Sequence, residues 1–433
     1  MMSRLLRKRP GCGLKVCGFH CWIGSSYLAD YFTHLSPKIN PPLKDRRLIN
    51  LLPDLLELDH VQVDACMLLI YYCIILQGCF LDASNERPDP QIHRHIYLSC
   101  LRTIPAWQNE ANGSMTDLIA AILMTQTAAE ALDFGLSWHM HKQACEYAQN
   151  LDLHNLDGTD TLNPANKMMD DADRVNMWNL IQLDMFYRLV NNKPPAFLSA
   201  LNNWRVNFPW LSLDSPPTQD EAVPVVVFLA RSRITLILIS YFQTLDAIGK
   251  DEDILGIVGP LCLQVEQVYV EWKIDEWLHM HSQDEYQKWY LGELALSCYA
   301  CILFMLCRAT PLSVNQADND NMIPRSDLSI RASRKVVEIT CHMIDNFPMV
   351  GPESLSVALG TYRAHVACAH LASNIEKNPH ADAVGRDLVL VQRLANCIEG
   401  VALVEKEFTP LARALSCLYY KVATKADSYF QSM

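Results

Sequence analysis

Residues 171–198, DADRVNMWNLIQLDMFYRLVNNKPPAFL, decide the fold class. Apolar side chains recur in this stretch at spacings of three and four, which predicts one buried face of an α-helix. The side chains of this apolar stripe are Met177, Trp178, Ile181, Met185 and Leu189. Asp171 or Asp173 is suited to capping the first turn, because a carboxylate accepts hydrogen bonds from free amides one turn inside the helix. The stretch therefore predicts a core helix.

The second half of this helix predicts an ion pair and a sharp end. Asp184 and Arg188 are four residues apart, so we expect their side chains to meet across one turn. Asn191 and Asn192 suit left-handed or turn geometry, and the prolines that follow Lys193 cannot continue the helical hydrogen bonds. The pattern predicts a core helix that also fixes the loop after it.

The order of these residues resembles the signature of the fungal-specific transcription factor domain, the helical middle homology region of fungal zinc-cluster regulators. The positions that carry the resemblance are Arg174, Trp178, Leu183, Asp184, Arg188, Lys193 and Pro194. The chain departs from the usual pattern in three ways: Asn179 stands where a second Trp is common, Lys193 replaces an Arg, and the Arg that usually follows Leu-Asp directly is found one turn later. Residues 128–157 also resemble the family's helix ending in Ala–x2–Leu–x–Leu–His. The likeness runs from about residue 55 to about residue 310.

The resemblance implies a nuclear regulator of transcription, not an enzyme, with a large all-α regulatory domain. It implies a homodimer, or a heterodimer with another regulator, and control of a fungal metabolic or secondary-metabolite gene set. Aromatic residues flank the central helix at Trp138, Trp204, Phe208 and Trp210, where they either form plain core or line a pocket for a small-molecule effector. Our candidates for the wall of an effector pocket are Trp138, Phe186 and Tyr187.

Composition sets broad limits on the function. The 433 residues are 50% hydrophobic, which is ample for a large core. The net charge is −12 and the pI is about 5.6, which argues against broad electrostatic binding of nucleic acid by this chain. The 16 cysteines are scattered through apolar segments, a pattern typical of reduced, buried thiols.

The amino-terminal region is where the resembling family carries its zinc cluster. That cluster uses six cysteines and two zinc ions, whereas this region has only Cys12, Cys17 and Cys21, with His20 adjacent. Zinc is thus the cofactor expected from the family, but the ligand set is incomplete, and we expect direct DNA binding only if a zinc module is present. Residues 1–52 are predicted to be a basic leader, with RLLRKR as a nuclear localisation patch, and a proline-broken linker.

The remainder of the chain is predicted to be helical throughout. We expect a regulatory domain over 53–310 and a C-terminal helical lobe over 311–433 packed on the same body, separated by the polar loop 311–326. No signal peptide is evident, and no membrane partner is expected. The longest apolar run, residues 65–81, is slightly short for a membrane span and is interrupted by Gln77, so it predicts a buried helix.

Two other functions fit the same sequence. Asp170, Asp171 and Asp173 form an acidic run that could bind magnesium in an all-α enzyme of secondary metabolism, although acidic residues are also common at helix N-termini. The chain could instead be an interaction scaffold without DNA-binding ability. His141 and Cys145 are four apart and could share one helical face, for which an amphipathic helix edge is the ordinary explanation.

Overall fold

A computed structural model of the chain confirms the predicted all-α fold. It describes residues 22–34, 46–58, 60–80, 90–158, 171–197, 204–209, 219–247, 254–279, 285–310, 323–346, 359, 361–379, 383–404 and 406–431. These ranges contain α-helices with short turns and no β-strand. The described cysteines are all free thiols and most of them are buried, as the composition predicted.

The chain divides into two compact units, and the division falls within the central helix. The first unit comprises residues 1–184 and 194–216, and the second comprises residues 185–193 and 217–433. This differs from the predicted boundary at 310/311. The helices on either side of the polar loop 311–326 pack against each other within the second unit, so that loop does not separate two bodies.

The first unit is built around one almost wholly buried helix, α3. Its helices are α1 (Trp22–His34), α2 (Arg46–Glu57), α3 (Ala65–Phe80), α4 (Pro90–Glu110), α5 (Met115–Glu130), α6 (Phe134–Asn150) and the start of α7 (Asp171–Asn191). Helix α3 packs against α1, α4 and α5. Because it is covered on several sides, α3 is apolar all round instead of amphipathic, which explains the long apolar run at 65–81.

Helices α1 and α3 approach each other closely at Gly78. A Cβ atom added to Gly78 would lie 1.9 Å from the backbone oxygen of Tyr27, so glycine is required there by space alone. Helix α5 begins with a capping box: Ser114 accepts a hydrogen bond from the amide of Asp117, and Asp117 accepts one from the amide of Ser114. The close approach at Gly78 sets the position of α1 against α3, and the capping box sets where α5 begins.

The prediction of a leader and linker over residues 1–52 was wrong for its described parts. Helix α1 lies within that range, and α2 begins at Arg46 and continues through Pro53. The physical reason is amphipathic spacing: Tyr27, Leu28 and Tyr31 are buried on α1, and Ile49 and Leu52 are buried on α2. The residues of the possible zinc module and of the basic patch lie outside the described ranges.

The second unit is built around helix α11. Its helices are the end of α7, α8 (Gln219–Ala247), α9 (Ile254–Glu271), α10 (Ile274–His279), α11 (Glu285–Ala309), α12 (Asp327–Asn346), α13 (Ala364–Lys377), α14 (Val384–Val404) and α15 (Thr409–Gln431). Helix α11 packs against α8, α9 and α12, while α12 packs against α13 and α14. The predicted C-terminal lobe is therefore continuous with the helices that precede it.

Three helical segments of the second unit are long and apolar enough, by length and composition, to cross a membrane. They are Ala222–Ala247, Ile254–Glu271 and Gln287–Ala309. The last segment belongs to α11 and is 83% buried within the protein, so its apolar character is explained by its place in the core. The other two are 50% and 33% buried, and α9 in particular leaves apolar side chains exposed.

Candidate functional site

The signature helix α7 has the buried stripe that the sequence predicted. All five stripe residues, from Met177 to Leu189, are at most 5% exposed. The helix ends as expected at a left-handed residue, Asn192, whose φ is 54°. The amide of Lys193 donates to the carbonyl of Tyr187 at 3.3 Å, which closes the last turn in the manner of a Schellman motif.

Arg174 joins the start of α7 to the loop that follows α6. Its guanidinium makes a bidentate contact with Asp157, with Nη2 2.7 Å from Oδ1 and Nε 3.1 Å from Oδ2, and it also pairs with Asp171 at 2.9 Å. Asp157 accepts a further hydrogen bond from the amide of Asn207 at 2.7 Å. The hydrogen bonds and charge of Arg174 hold the pKa of Asp157 below its ordinary value, despite partial burial that opposes this shift.

Trp178 anchors a second segment, residues 204–209. Its indole stacks on Phe208 with ring centroids 4.4 Å apart and meets Trp204 edge-on at 5.7 Å. Its Nε1 donates to the carbonyl oxygen of Asn207 at 3.2 Å. Two of the flanking aromatic residues, Trp204 and Phe208, are therefore half-buried packing partners of Trp178, while Trp210 lies outside the described residues.

Asp184 anchors a third segment, the chain that follows Pro194 and Pro195. Its carboxylate is fully buried and accepts hydrogen bonds from the amides of Ala196, at 2.9 Å, and Phe197, at 3.3 Å. The predicted ion pair between Asp184 and Arg188 was wrong. The two amides and His141 are the partners of the carboxylate, because a buried carboxylate must have its hydrogen bonds satisfied by groups within its own surroundings.

Arg188 has its partners in the second unit. It forms an ion pair with Asp246 at 2.8 Å and lies over the ring of Phe242, with Cζ 4.0 Å from the centroid. Arg308 donates to the carbonyls of Arg188 and Leu189 and to the side chain of Asn192. These contacts satisfy carbonyls that the end of a helix leaves free. No local pattern predicts them, because Arg308 is so distant along the chain.

The three predicted pocket residues have packing roles. Trp138 is half-buried in the first unit, with its ring 5.7 Å from that of His141. In the second unit Phe186 meets Tyr362 edge-on at 6.0 Å, and Tyr187 is buried. A shallow cleft of about 410 Å³, including open solvent, lies elsewhere in the first unit. Its lining is Met115, Leu118, Ile119, Ile122, Leu153, Asp173, Asn176, Met177 and Leu180, none of them predicted pocket residues.

A buried group of potential metal ligands lies beside the Asp184 anchor. His141 and Cys145 face Asp184 from helix α6, and the three side chains are at most 1% exposed. The His141 Nε2 atom is 3.4 Å from Asp184 Oδ1 and 3.4 Å from Cys145 Sγ. Burial, reinforced by the negative charge of Asp184, raises the pKa of the Cys145 thiol. The spacing of His141 and Cys145 was the sequence signal for this group, but Asp184 could not be linked to it without the fold.

The acidic run at 170–173 has a different arrangement. Asp171 is paired with Arg174, Asp173 is buried, and Asp170 lies outside the described ranges. Among the described side chains, three potential metal ligands have their ligand atoms within 4.8 Å of one another: His141, Cys145 and Asp184. The acidic run does not contribute to this group.

Comparison with known proteins finds no relative of this chain. No protein-family model matches the chain, and neither curated proteins nor solved structures include a match. The geometry of the signature residues is therefore the basis on which a function is proposed.

Proposed function

We propose that the chain is a transcription regulator that acts through its helical regulatory and dimerisation domain, with a fungal metabolic or secondary-metabolite gene set as its target. One observation carries this proposal. Three signature residues of the first unit, Arg174, Trp178 and Asp184, each hold a different segment of chain against one helix. These contacts are structural, so the signature specifies a fold. A common fold is what members of a family of regulatory domains share when their effectors and targets differ.

The same contacts favour a regulator over a magnesium-dependent enzyme. The carboxylate of Asp171 is already neutralised by Arg174, and Asp173 is 7% exposed. A magnesium site needs several oxygen ligands together with bound water, so it requires carboxylates that are open to solvent. The acidic run instead suits the start of a helix, where negative charge is favourable.

Helix α9 offers a surface for the second copy that this function implies. Its solvent-facing side carries Ile257, Leu263 and Val270, which are 37%, 49% and 65% exposed, and Pro260 lies between them on the same face. Exposed apolar residues that recur along one helix at intervals of three, three and seven suit a symmetric contact between identical helices. We expect Leu263→Glu with Val270→Glu to convert a dimer to a monomer in light scattering, and an unchanged mass would exclude this surface.

The acidic charge of the chain constrains how it reaches DNA. A net charge of −12 opposes contact with phosphates, and Cys12, Cys17 and Cys21 are too few for a six-cysteine cluster. We therefore propose action in the nucleus through a DNA-binding partner, with a small-molecule effector as the input. Mobility-shift measurements with mixed duplex DNA across a salt titration test this: we expect no retardation by the chain alone.

A tethering assay tests the function directly. The full chain is fused to an unrelated DNA-binding domain in a yeast reporter strain, and reporter expression is compared with that of the DNA-binding domain alone. We expect a change of several-fold in either direction. Arg174→Ala should abolish it by releasing the Asp157 loop, whereas Arg233→Ala should not. Arg233 is a matched control because it also pairs with a carboxylate, that of Glu271, but at the surface.

Two results would contradict the proposal. A folded, nuclear fusion protein without any effect on the reporter would exclude a regulatory domain of this kind. If that inactive chain still assembled with a known regulator in the same cells, the interaction scaffold would be the better function. Equal loss of activity in the Arg174 and Arg233 variants would show that the signature has no special role.

A further inference from the structure

We propose that His141, Cys145 and Asp184 form a zinc site in the interior of the first unit. The inference goes beyond the regulatory function and does not depend on it, because it rests on the geometry of three side chains. The three residues lie outside the amino-terminal region in which the resembling family carries its zinc cluster.

The separations between these side chains match the edges of a zinc tetrahedron. Bond lengths of about 2.3 Å to sulfur and 2.0–2.1 Å to nitrogen or oxygen place neighbouring ligand atoms roughly 3.3–3.6 Å apart. The two edges that meet at His141 Nε2 are both 3.4 Å long. Cys145 Sγ also lies 4.0 Å from Nδ1, so the thiol stands beside the ring. The three ligand atoms all lie within 4.8 Å of one another, and metal binding requires the Cys145 side chain to rotate toward the Nε2 lone pair.

Hydrogen bonding alone accounts poorly for the same contacts. A ring nitrogen carries at most one hydrogen, so His141 Nε2 cannot donate to Asp184 and accept from Cys145 at the same time. The contact between His141 and Asp184 is 3.4 Å, which is longer than the usual 2.7–3.2 Å of a good N–H···O bond. A cation between the three atoms explains this long separation between two buried groups.

Hydrogen bonds from neighbouring groups orient the ligands, as the groups around the ligands of a metal site do. Asp184 is held by the amides of Ala196 and Phe197, and its Oδ1 retains a lone pair because a carboxylate oxygen can accept twice. The Gln149 side chain connects helix α6 to the segment after Pro195, because its Nε2 donates to the carbonyls of Cys145 and Ala196 at 3.0 and 3.3 Å. The carboxylate therefore cannot turn away from the site.

The ligand set selects zinc and balances its charge. Sulfur, imidazole and carboxylate together suit the borderline-soft Zn²⁺ ion better than Mg²⁺ or Ca²⁺, which prefer oxygen. One thiolate and one carboxylate cancel the two positive charges, so the buried centre is neutral, and the thiol proton leaves when the metal binds. Three protein ligands leave the fourth position of the tetrahedron for a water molecule.

Metal analysis of the full chain tests the proposal. The chain, without an affinity tag, is expressed in zinc-supplemented medium, dialysed against a weak chelator, and analysed for zinc by mass spectrometry. We expect about one ion per chain, a loss of at least tenfold in Cys145→Ser and His141→Ala, and no loss in Cys79→Ser. Cys79 is a matched control because it is also a buried helical thiol of the first unit.

Cobalt substitution keeps the test decisive if a variant fails to fold. The wild-type chain, expressed with Co²⁺, should show a sulfur-to-cobalt charge-transfer band and the strong visible bands of four-coordinate cobalt. Retention of zinc in Cys145→Ser would place the ion elsewhere, for example at Cys12, Cys17 and Cys21, and would overturn the proposal. So would wild-type chain that contains neither zinc nor cobalt.

Discussion

Replacing Trp178 by alanine tests whether the signature helix is held by its aromatic core. The indole is 5% exposed, stacks on Phe208, meets Trp204 edge-on and donates a hydrogen bond to Asn207. Truncating a buried aromatic residue costs ~3–5 kcal/mol, and one hydrogen bond is worth ~1 kcal/mol. Asn207 is exposed, so water can replace the lost donor. We therefore expect a loss of about 4 kcal/mol in the free energy of unfolding.

Two further variants separate the contributions. Trp178→Phe keeps a ring against Phe208 but removes the hydrogen bond and some volume, so we expect a loss of about 1–2 kcal/mol. Tyr420→Ala is the surface control, because that ring is 68% exposed, and it should change stability by less than about 0.5 kcal/mol.

The assay is urea unfolding followed by far-ultraviolet circular dichroism, because the substitution removes a fluorophore. Two compact units can unfold in two steps, so the midpoint and slope of each transition are compared between variants. The effect should appear in one transition only. A loss below about 1 kcal/mol for Trp178→Ala would refute the reasoning, since it would show that the ring contacts contribute little.

Three other substitutions have expected outcomes that urea unfolding can check. Arg308→Ala removes hydrogen bonds at the end of α7 and should lower the free energy of unfolding by about 1–3 kcal/mol. Arg233→Ala, at a surface ion pair, should lower it by less than about 1 kcal/mol. Equal losses would contradict the capping role of Arg308. Asp157→Asn should lower the free energy of unfolding most above about pH 4, where the wild-type carboxylate is ionised. The difference from wild type should shrink as pH falls through the depressed pKa of Asp157, because the wild-type carboxylate then becomes protonated. A difference that does not change with pH would exclude the ionic contribution. Gly78→Ala should cost more than about 3 kcal/mol by clashing with backbone, while Gly259→Ala, with open space around it, should be neutral or stabilising by up to about 1 kcal/mol.

Local pattern was enough to predict most of the helices. The stripe on α7 and the left-handed Asn192 each depend on residues within a turn or two of one another, and both were confirmed. The same reasoning fails at Pro53, because it predicts that helical structure begins there, whereas α2 begins at Arg46. In α2 the burial of Ile49 and Leu52 outweighs the hydrogen bond that proline cannot donate.

The candidate site could be predicted only in part, because its contacts join distant segments. His141 and Cys145 share one helix, so their proximity follows from spacing alone, but Asp184 is 43 residues beyond His141. For Asp184 the sequence offered a nearer partner, Arg188, and nothing local indicates that the amides after Pro195 compete for the carboxylate. Burial decides that competition, and burial is a property of the whole fold.

The arginine caps at the end of α7 bear on how the protein is made. Arg308 donates to the carbonyl of Arg188 across 120 residues, and Arg363 donates to the carbonyl of Val190 across 173 residues. At the ~5–20 residues per second of translation, the ribosome takes about 10–35 s to add the second span. The carbonyls of Arg188, Leu189 and Val190 thus lack their arginine donors on the nascent chain, and codon changes between residues 190 and 363 that alter translation speed set how long they lack them.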